Sequence, residues 1–401
     1  MDDALIKRTV ELAIERENGI LDLRPCWVAR DFLPPGKRLG LEDGQYAVGE
    51  RGYICERWLG SETKADNRIG PEDEGLSYLA IEGLDITLKD AVRLCGPTMM
   101  GPEYAKIHKN LGRLAKIFDY KTRLFFHMHQ KERDARKVGR NPKEEAYFFP
   151  EGVEMGRHPE TFFGVHPSLV EQNSHIETLL PYLVEWNSDL ILKHSRAYLQ
   201  VPGEGFHLPA GGLHAPGTAL TIELQEASDV LAVLQARVEA HCFSKDLLFK
   251  DVSEYDRLAY GERFVLEQVD WHLNSDCYFY ENRHTSPVTV DKSIQSGGHE
   301  EWIFYNTEKF SGKKLTVSPG CSYRSTDNGV YNVLVWQGCG TFDGRQIAAF
   351  EFGTDELIVT HEKAISGVEV KNMGSKDLIL FKFFGPEINA GEIPYLPEYK
   401  G

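Results

Sequence analysis

The apolar positions near the start of the chain follow the spacing of a helix. Ile6, Val10 and Ile14 recur every four residues, so they lie on one face of a helical segment. Gly19 follows the last of them and is a typical helix terminator. We therefore predict a helix over residues 3–17.

The pattern then alternates between helical and strand-like segments. Short apolar runs among Gly and Pro predict strands and loops over residues 20–75. Helical spacing returns over 86–119 and 168–193, and a further helix is predicted over 227–240. Strands are predicted at 122–129, 145–150, 197–201, 205–208 and 218–226.

Residues 264–386 have the pattern of a region built only of strands. Turn sequences such as Ser318-Pro319-Gly320 and Asp327-Asn328-Gly329 separate short apolar runs. This spacing is typical of a sandwich or jelly roll. We predict a mainly β fold with two jelly-roll barrels and an added helical segment. The first domain is expected over residues 1–240 and the second over 255–392.

The composition narrows the classes of partner. The 401-residue chain has a formal net charge of -16, and it shows no basic patch that would bind nucleic-acid phosphates. An anionic small molecule is still possible, because it needs only a few local cations. Seven scattered cysteines without a CxxC indicate reduced thiols. The charged N-terminal segment and the absence of a long apolar run predict a cytoplasmic protein without a membrane partner.

Four side chains could form a metal site. His127 and His129 lie two residues apart in an apolar run, so on a strand they project from the same face. Glu145 opens the next strand-like run, and His214 follows a Pro-Ala-Gly-Gly turn. Nitrogen and oxygen donors of this kind bind zinc, iron or manganese. The alternative is that the histidines are hydrogen-bonded core residues and Glu145 is a surface residue at the start of a strand.

The order of these segments resembles the type I mannose-6-phosphate isomerases, which are zinc enzymes of the cupin superfamily. The family has Gln-x-His, Lys-x-Glu, a Pro-x-Gly-x-x-His turn and then a Glu shortly before a Ser-Asp pair. The matching pieces, over roughly residues 50–230, are His127-Met128-His129, Lys143-Glu144-Glu145, Pro209 to His214, and Glu223 to Asp229, with Glu56-Arg57-Trp58 and Ile86 to Ala91 upstream.

This resemblance implies two cupin-type barrels, of which only the first binds a metal. It implies that one divalent ion is bound by His127, His129, Glu145 and His214. Zinc is preferred, with iron or manganese as alternatives. Lys143 and Glu223 are the implied catalytic residues, which would move a proton between C1 and C2 of a sugar. Because a divalent ion disfavours a nearby ammonium group, we also expect it to lower the pKa of Lys143.

Two positions depart from the family pattern. His127 stands where the family has Gln, which keeps or strengthens a metal site. Val233 stands where the family has a functional Arg, and valine donates no hydrogen bond. The implied function is metal-dependent isomerisation of mannose 6-phosphate and fructose 6-phosphate, or of a related sugar pair. A metal-dependent cupin dioxygenase and a catalytically inactive sugar-binding cupin remain alternatives. The sugar-binding residues are not identified by the sequence.

Overall fold

The structure is a computed structural model that describes residues 2–400. Eleven α-helices lie within these residues: α1 (Asp3–Arg16), α2 (Leu88–Met100), α3 (Pro102–Ile107), α4 (Glu132–Ala135), α5 (Pro167–Glu171), α6 (His175–Glu185), α7 (Glu254–Tyr260), α8 (Glu262–Gln268), α9 (Trp271–Asn274), α10 (Phe279–Arg283) and α11 (His361–Ser366). Among the same residues, no helix is both long enough and apolar enough to cross a membrane.

Strands outnumber helices, which confirms the prediction of a mainly β fold. The strands of the described chain are β1 (Ile20–Arg24), β2 (Cys26–Arg30), β3 (Tyr53–Leu59), β4 (Tyr78–Leu79), β5 (Arg113–Phe118), β6 (His127–Met128), β7 (Glu145–Phe148), β8 (Glu160–Phe163), β9 (Arg196–Leu199), β10 (Gly205–Leu208), β11 (His214–Ala215), β12 (Thr221–Glu226), β13 (Ala232–Val233), β14 (Arg237–Val238), β15 (His241–Cys242), β16 (His284–Thr285), β17 (Val288–Thr289), β18 (Gly298–Phe304), β19 (Ser311–Val317), β20 (Ser322–Ser325), β21 (Tyr331–Gln337), β22 (Cys339–Phe342), β23 (Arg345–Ala348), β24 (Glu356–Val359), β25 (Val368–Asn372) and β26 (Leu378–Phe384).

The chain divides into two compact units, and each unit is assembled from separate stretches of sequence. The first unit contains the chain up to Val28 together with Arg57–Ile117 and Ser286–Tyr395. The second contains Ala29–Glu56, Phe118–Thr285 and the chain from Leu396 onward. Neither unit is one continuous stretch of sequence. The division into residues 1–240 and 255–392 therefore stays a prediction.

The first unit contains two antiparallel sheets and a pair of packed helices. One sheet has the strand order β17-β18-β19-β26-β21-β24-β1-β4 and the other β20-β25-β22-β23. Apolar side chains of both sheets form one buried cluster, among them Leu315, Val333 and Val370. The predicted N-terminal helix is confirmed as α1, whose apolar face packs against α2. The Asp2 carboxylate caps α1 by accepting a hydrogen bond from the Leu5 amide.

The sheet interior of the first unit also holds a buried ring of four charged side chains. Asp327 accepts from both ammonium groups, at 2.8 Å from Lys313 Nζ and 2.8 Å from Lys382 Nζ. Glu300 closes the ring, at 2.6 Å from Lys382 Nζ and 3.4 Å from Lys313 Nζ. Burial disfavours ionisation of Asp327, but the two ammonium groups outweigh it and hold the pKa of the carboxyl below its usual value. Each buried charge is thus compensated within the ring.

The second unit is built around two further groups of strands. One sheet has the order β13-β6-β11-β8-β9, and β16, β10, β7 and β12 form a second antiparallel group. Phe163, Phe206 and Val233 belong to a buried cluster that joins the two groups. Helices α6 and α8 cover the outer side of the sheet β13-β6-β11-β8-β9. Leu183 of α6 and Val265 of α8 belong to another buried cluster there.

Three predicted elements have a different conformation. Residues 111–117 were expected to be helical, but β5 occupies most of this segment, and all of its positions are buried. The predicted helix over 227–240 is replaced by β13 and β14. The region 264–386, expected to contain only strands, includes the short helices α9, α10 and α11. A short apolar run fits a buried helix or a buried strand equally well, so periodicity alone does not distinguish them.

Candidate metal centre

Neighbouring strands bring three histidines of the second unit together. His127 lies on β6 and pairs directly with His214 on β11, and His129 follows β6. One ring nitrogen of each histidine lies within 4.8 Å of one from each of the others. All three side chains are buried. The alternation of side chains along β6 therefore places His127 and His129 on one face, as the sequence pattern predicts.

Glu145 completes a set of four converging side chains. It opens β7, and its carboxylate lies 3.0 Å from Nε2 of His129 and 3.0 Å from Nε2 of His214. The Tyr147 hydroxyl, two residues along the same strand face, donates a hydrogen bond to Glu145 Oε1. Glu145 is buried, so a surface position for this residue is wrong.

Backbone carbonyl groups fix the orientation of each imidazole ring. The Nδ1 atom of His127 lies 2.8 Å from the Phe125 oxygen, and that of His129 lies 2.7 Å from the Val230 oxygen. The Nδ1 atom of His214 lies 3.0 Å from the Gly212 oxygen. A carbonyl oxygen only accepts hydrogen bonds, so each Nδ1 carries the hydrogen atom. In a neutral ring, Nε2 then has a free lone pair that can bind a metal.

The protonation states favour a cation among these atoms. Burial holds the pKa of His127 well below its usual value, helped by the neighbouring His214. Burial, together with the Lys143 ammonium group, lowers the pKa of His129 to about 3. Burial opposes ionisation of Glu145, but Lys143 together with His129 and His214 outweighs it and holds the pKa of Glu145 well below its usual value. The neutral imidazoles of His127 and His129 therefore lie in the same group as an ionised carboxylate.

This donor set fits a divalent ion. The buried Nε2 atom of His214 has no hydrogen-bond partner among the described residues, although Glu145 Oε1 lies 3.0 Å away. Two acceptor atoms at that distance repel each other unless a proton or a cation lies between them. Three imidazole nitrogens and one carboxylate are ligands that zinc, iron and manganese accept. His127, His129, His214 and Glu145 could therefore hold one such ion.

Lys143 and Glu223 lie beside this group. The Lys143 ammonium is 2.9 Å from Glu145 Oε2, 3.2 Å from Glu223 Oε1 and 2.9 Å from His129 Nε2. Burial alone would lower the pKa of Lys143, but the carboxylates of Glu145 and Glu223 outweigh it and raise the pKa. The lowering of the Lys143 pKa that we expect from a divalent ion is therefore opposed by two carboxylates.

β12 positions Glu223 for this contact. Glu223 pairs directly with Tyr147 across β12 and β7, so both side chains share the face that carries Glu145. His207, on β10, lies opposite Ala146 of β7. Its side chain therefore points to the strand face opposite to that of Glu145. Its Nε2 atom is 2.9 Å from a carboxylate oxygen of Glu144. His207 is thus separate from the three histidines.

A second buried ion-pair network extends from Lys143. The Asp229 carboxylate acts electrostatically on Lys143 and lies 3.2 Å from Arg30. Arg30 also lies 3.0 Å from Glu56, which accepts a hydrogen bond from the Tyr120 hydroxyl. Arg30 was not identified from sequence, because a single Arg at the end of a strand carries no spacing signal. Tyr147 could be identified from the two-residue alternation with Glu145.

Val233 occupies a position directly next to the candidate centre. It pairs with His127 across β13 and β6, and its side chain is buried in an apolar cluster with Phe125 and Tyr147. Directly paired residues lie on the same face of a sheet. The side chain adjoining His127 at this position is therefore apolar.

Comparisons with known proteins identify the fold. No protein-family model matches the sequence, and no curated protein does. Among solved structures, the mannose 6-phosphate isomerase from Bacillus subtilis is 15% identical, covers 91% of this chain and 99% of its own, and superposes with a TM-score of 0.60. The apo form of mannose 6-phosphate isomerase from Salmonella typhimurium is 11% identical, covers 92% of this chain and 99% of its own, and has a TM-score of 0.59.

A zinc-bound mannose 6-phosphate isomerase is 12% identical and covers 92% of this chain and 100% of its own, with a TM-score of 0.57. These likenesses extend over nearly the whole length of both chains. The protein therefore has the fold of the mannose-6-phosphate isomerases, as the motif order predicts. At this level of identity the likeness concerns the fold, and the reaction has to be argued from the side chains.

Proposed function

We propose that the protein is a metal-dependent aldose–ketose isomerase of the mannose-6-phosphate isomerase type. It would interconvert mannose 6-phosphate and fructose 6-phosphate or a related sugar pair. The observation that carries the proposal is the buried Lys143–Glu223 ion pair next to three histidines and Glu145. The similarity in fold to a zinc-bound enzyme of this type supports it.

The ion would be held by His127, His129, His214 and Glu145. Zinc is preferred, with iron or manganese as alternatives. When bound, the ion supplies a Lewis acid that polarises sugar oxygens and stabilises negative charge. The remaining chemistry belongs to the protein. Glu223 is the candidate base that takes a proton from one of the two reacting carbons and returns it to the other. The Lys143 ammonium group holds Glu223 in place and donates a hydrogen bond toward the sugar.

Burial of the group serves the same chemistry. Lys143, Glu145 and Glu223 are all nearly inaccessible to solvent. An enediol formed between C1 and C2 would be protected from bulk water in such a site, and its charge would interact strongly with the nearby ammonium group. The partner is therefore a small sugar or sugar phosphate.

Glu223→Gln tests this role because it keeps the shape of the side chain and removes the base. We expect turnover to fall by about 10²–10⁴-fold, while metal content stays unchanged. The control is Glu144→Gln, the same substitution at a buried glutamate whose carboxylate contacts His207 instead of the candidate centre. Conversion of mannose 6-phosphate, mannose and related aldoses can be followed by proton nuclear magnetic resonance. Full activity of the Glu223→Gln protein would contradict the proposed role.

Two alternative functions share parts of this site. Three histidines and one glutamate would also suit iron, so a cupin dioxygenase is the second candidate. Iron content with oxygen consumption would support the dioxygenase, whereas isomerisation without oxygen would exclude it. The apolar Val233 side chain next to His127 would fit a sugar-binding protein without catalysis. That function predicts sugar binding with no turnover in any metal form.

A further inference from the structure

The glutamine opposite Glu145 brings a hydrogen-bond acceptor to the candidate centre. Gln225 of β12 pairs directly with Glu145 of β7, and directly paired residues share one face of a sheet. Glu223, two residues earlier on β12, lies on the same face. The side chain of Gln225 is fully buried. It is therefore enclosed on the strand face that carries a candidate metal ligand and the candidate base.

Two backbone carbonyl groups fix the orientation of the Gln225 amide. Its Nε2 atom donates to the Ser228 oxygen at 2.5 Å and to the Glu226 oxygen at 3.2 Å. The reverse orientation would place the amide oxygen against two other carbonyl oxygens, which repel it. Oε1 is therefore the amide atom that these contacts leave over, and an amide oxygen only accepts hydrogen bonds.

No donor within the described part of the chain forms a hydrogen bond with Oε1 of Gln225. The Lys143 ammonium group is engaged elsewhere, at 2.9 Å from Glu145 Oε2 and 2.9 Å from His129 Nε2. It also lies 3.2 Å from Glu223 Oε1, so three acceptors match its three N–H groups. A buried acceptor without a donor is unfavourable. A ligand that donates to Oε1 is therefore favoured over one that does not.

We infer that Gln225 determines sugar specificity, because its Oε1 atom accepts a hydrogen bond from a hydroxyl group of the sugar. This inference rests on the proposed function. A neutral acceptor distinguishes a hydroxyl group from a hydrogen atom or a carbonyl oxygen, since neither of these donates. Gln225 thus favours a sugar with its full set of hydroxyl groups over a deoxy sugar.

Gln225 acts on binding and not on proton transfer. Amide side chains are not among the groups that exchange protons in general acid–base catalysis, and that role belongs to Glu223 here. A hydrogen bond to a sugar hydroxyl group is made in the bound sugar and in the transition state alike. Such an interaction strengthens binding without accelerating the bound complex.

The affinities of deoxy sugars test the inference on the native protein. Isothermal titration calorimetry of the zinc-loaded full chain would use D-mannose, D-mannose 6-phosphate and analogues of each in which one hydroxyl group at a time is replaced by hydrogen. We expect at least one analogue to bind about tenfold more weakly than its parent sugar, because it leaves a buried acceptor without a donor. Equal binding of all analogues, or binding of neither parent sugar, would overturn the inference.

Gln225→Met shows whether this side chain causes the difference. Methionine is also unbranched and flexible, but it has no amide oxygen. The analogue that binds weakly to the native protein should bind Gln225→Met as tightly as its parent sugar does. The ratio compares two sugars on one sample, so it does not depend on how much of the variant is folded. Persistence of the native ratio in Gln225→Met would overturn the inference.

Gln200→Met is the matched control. Gln200 is also buried, but its Oε1 atom already accepts a hydrogen bond from the Ala219 amide, at 3.2 Å. This variant should keep the ratio of the native protein. Loss of the ratio in both variants would show that it does not report on Gln225, and would overturn the inference.

Steady-state kinetics of the same proteins separates this inference from the proposed function. Gln225→Met should raise KM about tenfold and change kcat little, because uniform binding is lost. A fall in kcat at unchanged KM would overturn the inference. Turnover without preference for any hydroxyl group would also overturn it and leave the proposed function intact. Preference for a hydroxyl group without isomerisation of either parent sugar would contradict the proposed function and leave the inference intact.

Discussion

Each histidine of the candidate centre is held by a hydrogen bond from Nδ1 to a backbone carbonyl, and Nε2 of His129 and of His214 lies 3.0 Å from Glu145. Removing one of four ligands opens the site and weakens metal binding. We predict that His129→Ala and His214→Ala each release most of the bound metal after dialysis. His207→Ala is the control, because His207 contacts Glu144 on the other strand face. Full metal occupancy in both ligand variants, measured by elemental analysis, would refute the assignment.

Tyr147 acts on the centre through Glu145. Its hydroxyl donates to the carboxylate and holds one of its oxygens in place. Removal of such a supporting partner weakens metal affinity or activity by about 10–100-fold. We predict that Tyr147→Phe binds zinc more weakly by this factor in a competition assay with a chelator, with little change in folding. Phe206→Tyr, a substitution elsewhere in the apolar cluster, should leave zinc affinity unchanged. Equal affinities of Tyr147→Phe and the native protein would contradict the role.

Residue-level prediction succeeds where spacing and chemistry coincide. His127 and His129 alternate along a strand, so their common face can be derived from sequence, and the structure places Glu145 and His214 beside them. Arg30 and Asp229 could not be paired in advance, since they lie 199 positions apart and the contact depends on tertiary packing. Metal binding and the catalytic roles of Lys143 and Glu223 stay predictions.

Among the elements, the buried ring of charges on the strands of the first unit has a measurable energetic effect. Asp327→Asn leaves Lys313 and Lys382 with only Glu300 as an ionised partner. Breaking a buried ion pair on one side is destabilising by about 3–5 kcal/mol. We predict a loss of this size in the free energy of unfolding, measured by urea denaturation at pH 7. Asp85→Asn, at an exposed position, is the control and should change it little.

The Asp327→Asn substitution also changes how the free energy of unfolding depends on pH. The lowered pKa of folded Asp327 contributes stability above the pKa of the unfolded chain, and this stability is lost as the pH falls through the folded pKa. Native protein should therefore lose stability below about pH 4. Below about pH 4, the Asp327→Asn protein should lose less stability than the native protein. Parallel curves for the two proteins would show that Asp327 is not responsible.

Helix α1 was predicted correctly because only one of its faces is buried, so its apolar periodicity is visible in the sequence. β7 and β10 are fully buried, but turn residues on either side mark them as short strands. β5 is also fully buried, and the helical spacing of Leu111, Leu114 and Ile117 caused it to be misread. The segment at β13 was misread because pairing with β6 overrides its local helical spacing.

At the scale of the whole molecule, metal binding should stabilise the folded protein. An ion that binds only the folded chain adds about 4 kcal/mol when its concentration is 1,000 times Kd. We predict that a chelator lowers Tm by several degrees, and that zinc restores it. The Tm of His214→Ala should respond to neither addition. A native Tm that is insensitive to both would argue against a bound ion.

The whole-molecule organisation was the least accessible to sequence reasoning. The mainly β fold follows from the many short apolar runs, and the order of motifs predicts the fold shared with mannose-6-phosphate isomerases. Neither the apolar runs nor the order of motifs predicts that each compact unit is assembled from separate stretches of sequence. Segments as distant as α1 and β24 belong to one unit, and no local pattern encodes such distant association.

The central claim is that three histidines and Glu145 hold one divalent ion at a sugar-isomerising site. Elemental analysis of the purified protein, with the same sample assayed for aldose–ketose conversion, tests it most directly. The account predicts about one equivalent of zinc, iron or manganese per chain, as a four-ligand site holds a single ion, together with isomerisation of a sugar. A protein that contains no metal, takes up none on addition and converts no sugar would contradict it.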